Sequence, residues 1–402
     1  MTRKPSILIS GIGIAGATLA YWLGEYGYKP TLVERAPRFR DGGYIIDFWG
    51  RGYDVAERMG LLPGLRTEGY AVHELRIVDT KGRRVGGFGV DVFHKLTAGR
   101  YVSITRSGLA RLIYRAIERK HETLFGDGIT KLVQDGDTVY VEFECAPPRH
   151  FDVVIGADGL HSAVRKLVFG AQDRFERYMG YYVAAFEAGG YPYRDDGVYV
   201  SLGVPGKQVA RFAMRDGRTL FLLVFATPRG QQIEPRDIAS QQALLHREFE
   251  QAGWECPQIL AALDRCDDLY FDSVSQIRLP AWSRGRVVLI GDAAFCPSLL
   301  AGQGSALAMI AAYVLAGELA RTETPEAAFR RYEDLLRPFM TAKQNAAVRF
   351  AGSFAPKTRF GLFLRNQITR ATALPYVAEL TLGRLVRDDL DLPDYAALFA
   401  TL

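Results

Sequence analysis

The feature that most constrains this chain is a glycine-rich turn close to its N-terminus. Ile7-Leu8-Ile9 reads as a short buried parallel strand, and Gly11-Ile12-Gly13-Ile14-Ala15-Gly16 follows at once. Ala17 to Gly27 has the composition of a helix that Gly27 stops. Thr31-Leu32-Val33-Glu34-Arg35 reads as a second strand ending on an acid, eighteen residues beyond Gly16. Strand, GxGxxG, helix, strand and acid in this order point to dinucleotide binding. Gly11, Gly13 and Gly16 permit a tight turn and let the backbone approach a pyrophosphate. Ile14 and Ala15 open a helix whose N–H groups and dipole favour negative charge. Glu34 suits an adenosine ribose, with Arg35 beside it as a further candidate contact.

The turn alone does not separate a nicotinamide from a flavin, and two further stretches bear on that choice. In Phe151-Asp152-Val153-Val154-Ile155-Gly156-Ala157-Asp158-Gly159 a buried strand runs into an acid-glycine turn and then a helix start. In Val287-Val288-Leu289-Ile290-Gly291-Asp292-Ala293-Ala294-Phe295-Cys296-Pro297 another strand ends on Asp292, where α/β folds bind ligands. A carboxylate there suits ribityl hydroxyls. Gly302 and Gly304 let a second helix N-terminus approach a ligand closely and stabilise charge such as that on a reduced flavin.

With 402 residues, two or three packed units are expected. A 48% hydrophobic and 24% charged composition is globular, which excludes disorder or coiled coil for the whole chain. Lys+Arg 50 against Asp+Glu 45 gives a diffuse +5, not a nucleic-acid footprint. Cys145, Cys256, Cys266 and Cys296 are far apart and form no CxxC pair, so no zinc or dithiol centre is readable. Residues 1–10 are too short for a signal peptide, and the longest apolar run, Ala306 to Leu319, falls short of the ~18–20 residues that cross a bilayer. The expectation is a cytoplasmic protein without a transmembrane segment.

The pattern further along alternates between two kinds of segment. Residues 72–100 and the four β-rich runs from Tyr178 to Thr227 read as antiparallel sheet, with turns at Gly189-Gly190, Pro205-Gly206 and Asp216-Gly217. Helices are expected at Leu109–His121, Ile238–Gly253, Gly304–Leu319, Glu326–Arg337 and Pro338–Ser353, with two more stretches between Phe360 and Leu385. The fold class is α/β (α+β). Residues 1–71, 101–175 and 278–325 would form a Rossmann-like domain, interleaved with an antiparallel-sheet substrate domain of residues 72–100 and 176–277. Residues 326–402 would form a C-terminal helical segment.

The three motifs, in this order and spacing, resemble the fingerprints of the class A flavin-dependent aromatic hydroxylases, the para-hydroxybenzoate hydroxylase type. Arg106 in Thr105-Arg106-Ser107-Gly108-Leu109 is similar to that family's flavin-contacting arginine. The likeness spans residues 5–320. Gly24-Glu25-Tyr26-Gly27-Tyr28, Asp292 to Ser298 and Leu392-Pro393-Asp394-Tyr395 look most like the tetracycline-inactivating flavin monooxygenases. The resemblance implies tightly bound, non-covalent FAD, contacted also by Asp158 and Asp292. It implies transient NAD(P)H, dioxygen as co-substrate and hydroxylation through a flavin C4a-hydroperoxide. Only one GxGxxG is present, which accords with nicotinamide binding without a second Rossmann site. The sequence departs from the family at Phe295, where many members carry His, at Ala311, where many carry an acid, and at Trp49, where tetracycline-acting relatives often have Arg. These departures bear on the substrate more than on the flavin.

No side-chain catalyst is expected, since the flavin carries the chemistry. His161 and Ser162 are adjacent but lack a GxSxG elbow. The substrate would be a bulky aromatic or polyketide-like molecule. Its candidate contacts are Trp49, Phe186, Arg211, Phe221, Phe225 and Pro297. Phe221, Leu223 and Phe225 share one strand face and Leu220, Leu222 and Val224 the other, so both faces are covered. Arg211, within an apolar strand, is a candidate to orient a phenolate or carboxylate. The apolar tail with its interspersed cations would close the pocket, pair with a second copy or lie on a membrane surface. A monomer or homodimer is compatible with all of this. The alternatives are a tetracycline-inactivating monooxygenase, an FAD-dependent reductase of isoprenoid double bonds, and a non-catalytic flavin-holding sensor.

Overall fold

The computed structural model describes residues 4–39, 44–227, 237–372, 374, 376–379, 383 and 388–396. Its first layer is a six-stranded sheet in the order Ser283–Arg284, Val287–Leu289, Val153–Gly156, Ile7–Ser10, Thr31–Glu34, Thr123–Phe125. All neighbours pair in parallel except the first two. The central strands are buried along their whole length, which accounts for their unbroken apolar runs. Helices Ile14–Glu25, Arg106–Ile117 and Gly304–Arg321 pack around this sheet and each other.

The second layer is a seven-stranded sheet in the order Tyr270–Ile277, Glu176–Gly189, Arg218–Ala226, Lys207–Ala213, Val198–Val204, Glu74–Val78, Arg84–Gly89. Its pairings are antiparallel with one exception: Val198–Val204 runs parallel to Glu74–Val78. The chain between those two strands passes through the first layer, and so long a crossover is what a parallel pair requires. A ribbon of Ile45–Trp49 paired with Tyr101–Thr105 lies between the layers. A three-stranded meander, Ile129–Asp135, Thr138–Phe143 and Arg149–Phe151, joins the first core.

Several helix bounds differ from the sequence pattern. The helix read over Leu109–His121 runs Arg106–Ile117, because the Thr105 hydroxyl caps it by accepting from Gly108 N at 3.0 Å. The two helices expected on either side of Pro338 are one, Pro325–Phe354. Burial of Leu336, Phe339 and Met340 around the proline outweighs the single backbone bond it removes. Gly304–Arg321 measures 18 residues with mean hydropathy 1.2, enough by length and composition to cross a membrane, but 78% of it is buried as a core helix. Of the two final stretches, the first is Arg359–Ala371, and the second lies largely outside the described residues.

The two faces of the larger sheet are now distinguishable. Phe186, Phe221 and Phe225 pack against Leu245, Phe249 and Ile259 of helices Ile238–Phe249 and Cys256–Leu263. Leu222 and Val224 face the opposite way, with Tyr181, Val183, Val274 and Phe354. Leu220 and Phe212 pack with Trp49 and Tyr101 of the ribbon. The space between the layers is thus bounded by the second set.

Residues 388–396 form a strap across the first layer. Asp388 accepts from Arg51 N at 2.8 Å and pairs with Lys343 at 2.5 Å, both side chains being largely buried. Tyr395 donates to Glu318 at 2.5 Å, and its ring takes the space a side chain at Gly317 would occupy.

Candidate active site

The glycine turn is shaped from within. Gly11 has φ +96° and donates to Val33 O at 2.8 Å, closing the turn on the second strand. A Cβ on Gly16 would run into the carbonyl oxygen of Gly11, so that glycine packs helix on turn. Gly13 is different: a Cβ there would meet nothing within 4 Å among the described residues. Its open side, beside Ile14 and Ala15 in a first turn with no side-chain cap, leaves N–H groups for an anion. Glu34 accepts from Ile12 N at 3.0 Å and Ala36 N at 2.9 Å, which holds its carboxylate at the mouth of the turn. Arg35 is exposed and turns toward Glu144, 3.8 Å away.

The two acid-glycine stretches converge on the same place. A Cβ on Gly11 would meet Ala157 O at 2.6 Å, and one on Gly291 would meet the Cβ of Ala15 at 3.1 Å. Asp158 is engaged by its own helix start: Ser162 Oγ donates at 2.5 Å and Val164 N at 3.1 Å. Arg165 ties the stretches together, donating to Leu160 O at 2.6 Å and Ala293 O at 3.0 Å. Gly304 opens a helix with no side-chain cap, and the ideal Cβ position there lies 3.8 Å from Asp292 Oδ1. A Cβ on Gly302, at φ +66°, would meet nothing within 4 Å among the described residues. Two uncapped helix N-termini and two open glycine positions fit a long anionic dinucleotide.

Arg106, Tyr44 and Tyr270 stand around Asp292, close enough to act on one another's charge. Arg106 is exposed and the other three are half-buried, so this cleft side of the turns is open to solvent. Burial raises the Asp292 carboxyl pKa, and the Arg106 guanidinium opposes that rise. Burial pushes the Tyr44 phenol to about 12. Tyr44 and Tyr270 lie ring to ring, 5.7 Å between centroids. Arg106 N donates to Tyr44 O at 2.9 Å, which fixes the start of its helix against the cleft.

The ribbon adds a polar group that sequence reading missed. Asp47 Oδ1 accepts from Tyr101 OH and Ser103 Oγ, both at 2.6 Å, and burial raises its pKa. Tyr199 of the large sheet stands close enough for Asp47 to raise its phenol pKa further. Asp47 alternates with Ile45 and Trp49 on one strand face, so an acid in an apolar strand was the available signal. Trp49 is 6% exposed, packs in the aromatic cluster with Tyr101 and Phe93, and its indole N–H has no acceptor among the described residues.

Gln344 of the long helix was likewise illegible. Its amide donates to Ile277 O at 2.7 Å and Phe295 O at 3.1 Å. Gln276 donates to Pro297 O at 3.0 Å and Gln344 O at 2.8 Å. This buried lattice fixes Pro297, and the next residue, Ser298, holds φ +99°, a backbone conformation rare outside glycine.

Four expected substrate contacts lie elsewhere. Phe186, Phe221 and Phe225 are core beneath the two covering helices. Arg211 shares their face, because it pairs across the ladder with Phe221. Its guanidinium is neutralised by Glu255 at 2.6 Å and Asp195 at 2.8 Å, so it is not free to orient a substrate. Strand alternation divided the residues correctly, but only the three-dimensional packing tells which face the helices cover.

The geometry brings the three glycine-rich stretches together beside an aromatic cluster. A family model described as "FAD binding domain" matches residues 4–345, and the chain belongs to that family. A prokaryotic "Flavin-dependent monooxygenase" is 35% identical over 361 residues, covering 88% of this chain and 91% of that protein. "FAD-dependent monooxygenase asL6" of Sarocladium schorii is 30% identical over 433 residues, covering 99% of each. The crystal structure of tetracycline destructase Tet(55) superposes with a TM-score of 0.84 at 32% identity, covering 98% of this chain and 100% of that one. The protein is an FAD-dependent monooxygenase.

Proposed function

We infer that this monooxygenase hydroxylates a bulky aromatic or polyketide-like molecule held between the two sheets, at the expense of NAD(P)H. What supports the reading is the aromatic cluster next to Arg106 and Asp292, in which Tyr44, Tyr270, Tyr199 and Trp49 gather with Asp47 among them; we take it as the wall of the substrate chamber. Flat aromatic walls with a few fixed polar groups suit a polycyclic substrate. FAD, once reduced by a nicotinamide, supplies the activation of dioxygen.

The chain's own residues have three tasks in this reading. The N–H groups around Gly13, Ile14 and Ala15 bind the pyrophosphate, and Glu34 binds the adenosine ribose. Asp292, the Gly302–Gly304 helix start and Arg106 would hold the ribityl and ring portion of the flavin. Asp158 and Arg165 act by positioning. Asp47 accepts a hydrogen bond from a substrate hydroxyl or amine, because its Oδ2 takes no donor among the described residues.

A tetracycline as substrate is favoured by the likeness to a tetracycline destructase over nearly the whole chain. Four cysteines without a disulfide support a reducing, cytoplasmic setting. The test is NAD(P)H oxidation and oxygen uptake by the FAD-loaded enzyme across a panel of tetracyclines and polycyclic phenols. A product one labelled oxygen heavier after reaction under ¹⁸O₂ is expected. NAD(P)H oxidation that stays at its basal rate with every aromatic compound would remove this substrate class.

A further inference from the structure

Helix Arg359–Ala371 packs with one face inward and turns a greasy face outward. Leu362 is buried, and Arg365 lies flat over Gly203, donating to Phe354 O at 3.2 Å and Gln208 Oε1 at 3.4 Å. On the other side Phe360 is 73% exposed, Phe363 60%, Leu364 48% and Ile368 47%. Positions 360, 364 and 368 follow one helical row, with 363 beside it, over a helix about 20 Å long. Exposed Leu374 and Tyr376 continue the apolar character beyond its end. Two exposed phenylalanines and two aliphatic residues in one stripe form a patch, not scattered surface residues.

Along the chain, the charge flanking this stripe has one sign up to residue 378. From residue 335 to residue 378 the chain contains no Asp or Glu, whereas Lys357, Arg359 and Arg370 flank the stripe and are all exposed. Phe and Leu on a helix face bordered by Lys and Arg have the chemistry of a segment lying in a lipid headgroup layer. Anionic headgroups complement the cations, and the acyl boundary takes the rings. A second copy of this chain is a poor occupant, because a two-fold contact through the stripe would bring the same cations together with no acid between residues 335 and 378 to answer them.

We propose that the outward face of helix Arg359–Ala371 docks this enzyme reversibly on anionic membrane surfaces. The helix lies in the interface plane and does not cross the bilayer.

The experiment is flotation of the full-length, FAD-loaded protein with vesicles of phosphatidylcholine alone or mixed with phosphatidylglycerol. Binding to the anionic vesicles should exceed binding to the neutral ones by at least about tenfold and fall with added salt. The double variant Phe360→Ser/Phe363→Ser should lose the binding and retain its flavin, which shows that it is folded. Absence of vesicle binding, or binding unchanged in the double variant, would overturn the proposal. So would a dimer in sedimentation velocity that the same variant dissociates, because the stripe would then be a contact between copies.

Discussion

The guanidinium of Arg165 donates to the backbone carbonyl of Ala293 at 3.0 Å, across 128 residues of sequence. Arg165 is 1% exposed, and its other terminal nitrogen reaches Leu160 O and Gln172 Oε1. Burial lowers its pKa, and the nearby Asp158 carboxylate, together with the neutral acceptors, offsets that desolvation cost. One side chain therefore fixes the spacing between the Asp158 turn and the Asp292 turn. Replacing Arg165 with Met should cost about 2–4 kcal/mol, because two buried carbonyls lose their donor. Chemical denaturation with and without FAD would measure this, and Lys should rescue little, since it lacks the fork.

Gly13 and Gly16 separate cofactor space from packing space. The methyl of Gly13→Ala would meet nothing within 4 Å among the described residues, and φ is −67°, so stability should change by less than about 0.5 kcal/mol. Its methyl would stand where the pyrophosphate approaches, and FAD affinity should drop at least about tenfold. Gly16→Ala should instead lower stability by about 1–3 kcal/mol by colliding with the Gly11 carbonyl. Fluorescence titration with FAD beside thermal unfolding distinguishes the two.

Asp47→Ala removes the polar anchor of the chamber without touching the flavin side. KM for a responsive substrate should rise by about tenfold to a hundredfold, as expected for a lost charged hydrogen bond. Flavin content and substrate-free NAD(P)H oxidation should stay as in the parent. A fall in flavin content would place Asp47 in the scaffold instead.

His161 gives a pH signature. Its Nε2 lies 3.1 Å from Asp272, and that hydrogen bond raises its pKa above the ordinary 6.5. A raised histidine pKa contributes stability that is full below the unfolded value and is lost as pH climbs through the folded one. His161→Gln should therefore cost more at pH about 6 than at pH about 8. The difference should stay under about 1 kcal/mol, because the side chain is largely solvent-exposed. Urea denaturation at the two pH values checks it.

The sequence spoke clearly where backbone alone does the work. Gly11, Gly13 and Gly16, and the runs ending on Asp158 and Asp292, are local patterns whose meaning depends on neighbours a few residues away. The chamber was harder, because its wall joins Asp47 to Tyr101, Ser103 and Tyr199 from strands far apart in the chain. Parity separated Phe221 from Leu222, but no local signal says which face two later helices will cover. Gln276 and Gln344 look like ordinary polar residues until their carbonyl partners are in view. Arg211 misled for a related reason: an arginine in an apolar strand signals a buried counter-charge, and here Glu255 and Asp195 supply it.

The strap from Asp388 to Tyr395 has a consequence for how the protein is made. The first strand emerges from the ribosome long before its neighbour Val153–Gly156, and the helix that begins at Arg51 gains the Asp388 acceptor only 337 residues later. Glu318, buried at the end of the core helix, likewise waits for the hydroxyl of Tyr395. Completion of the flavin layer thus waits for a segment made after all three glycine-rich stretches. A message cut short just before Asp388 encodes every fingerprint of the family but leaves that layer without its fastening.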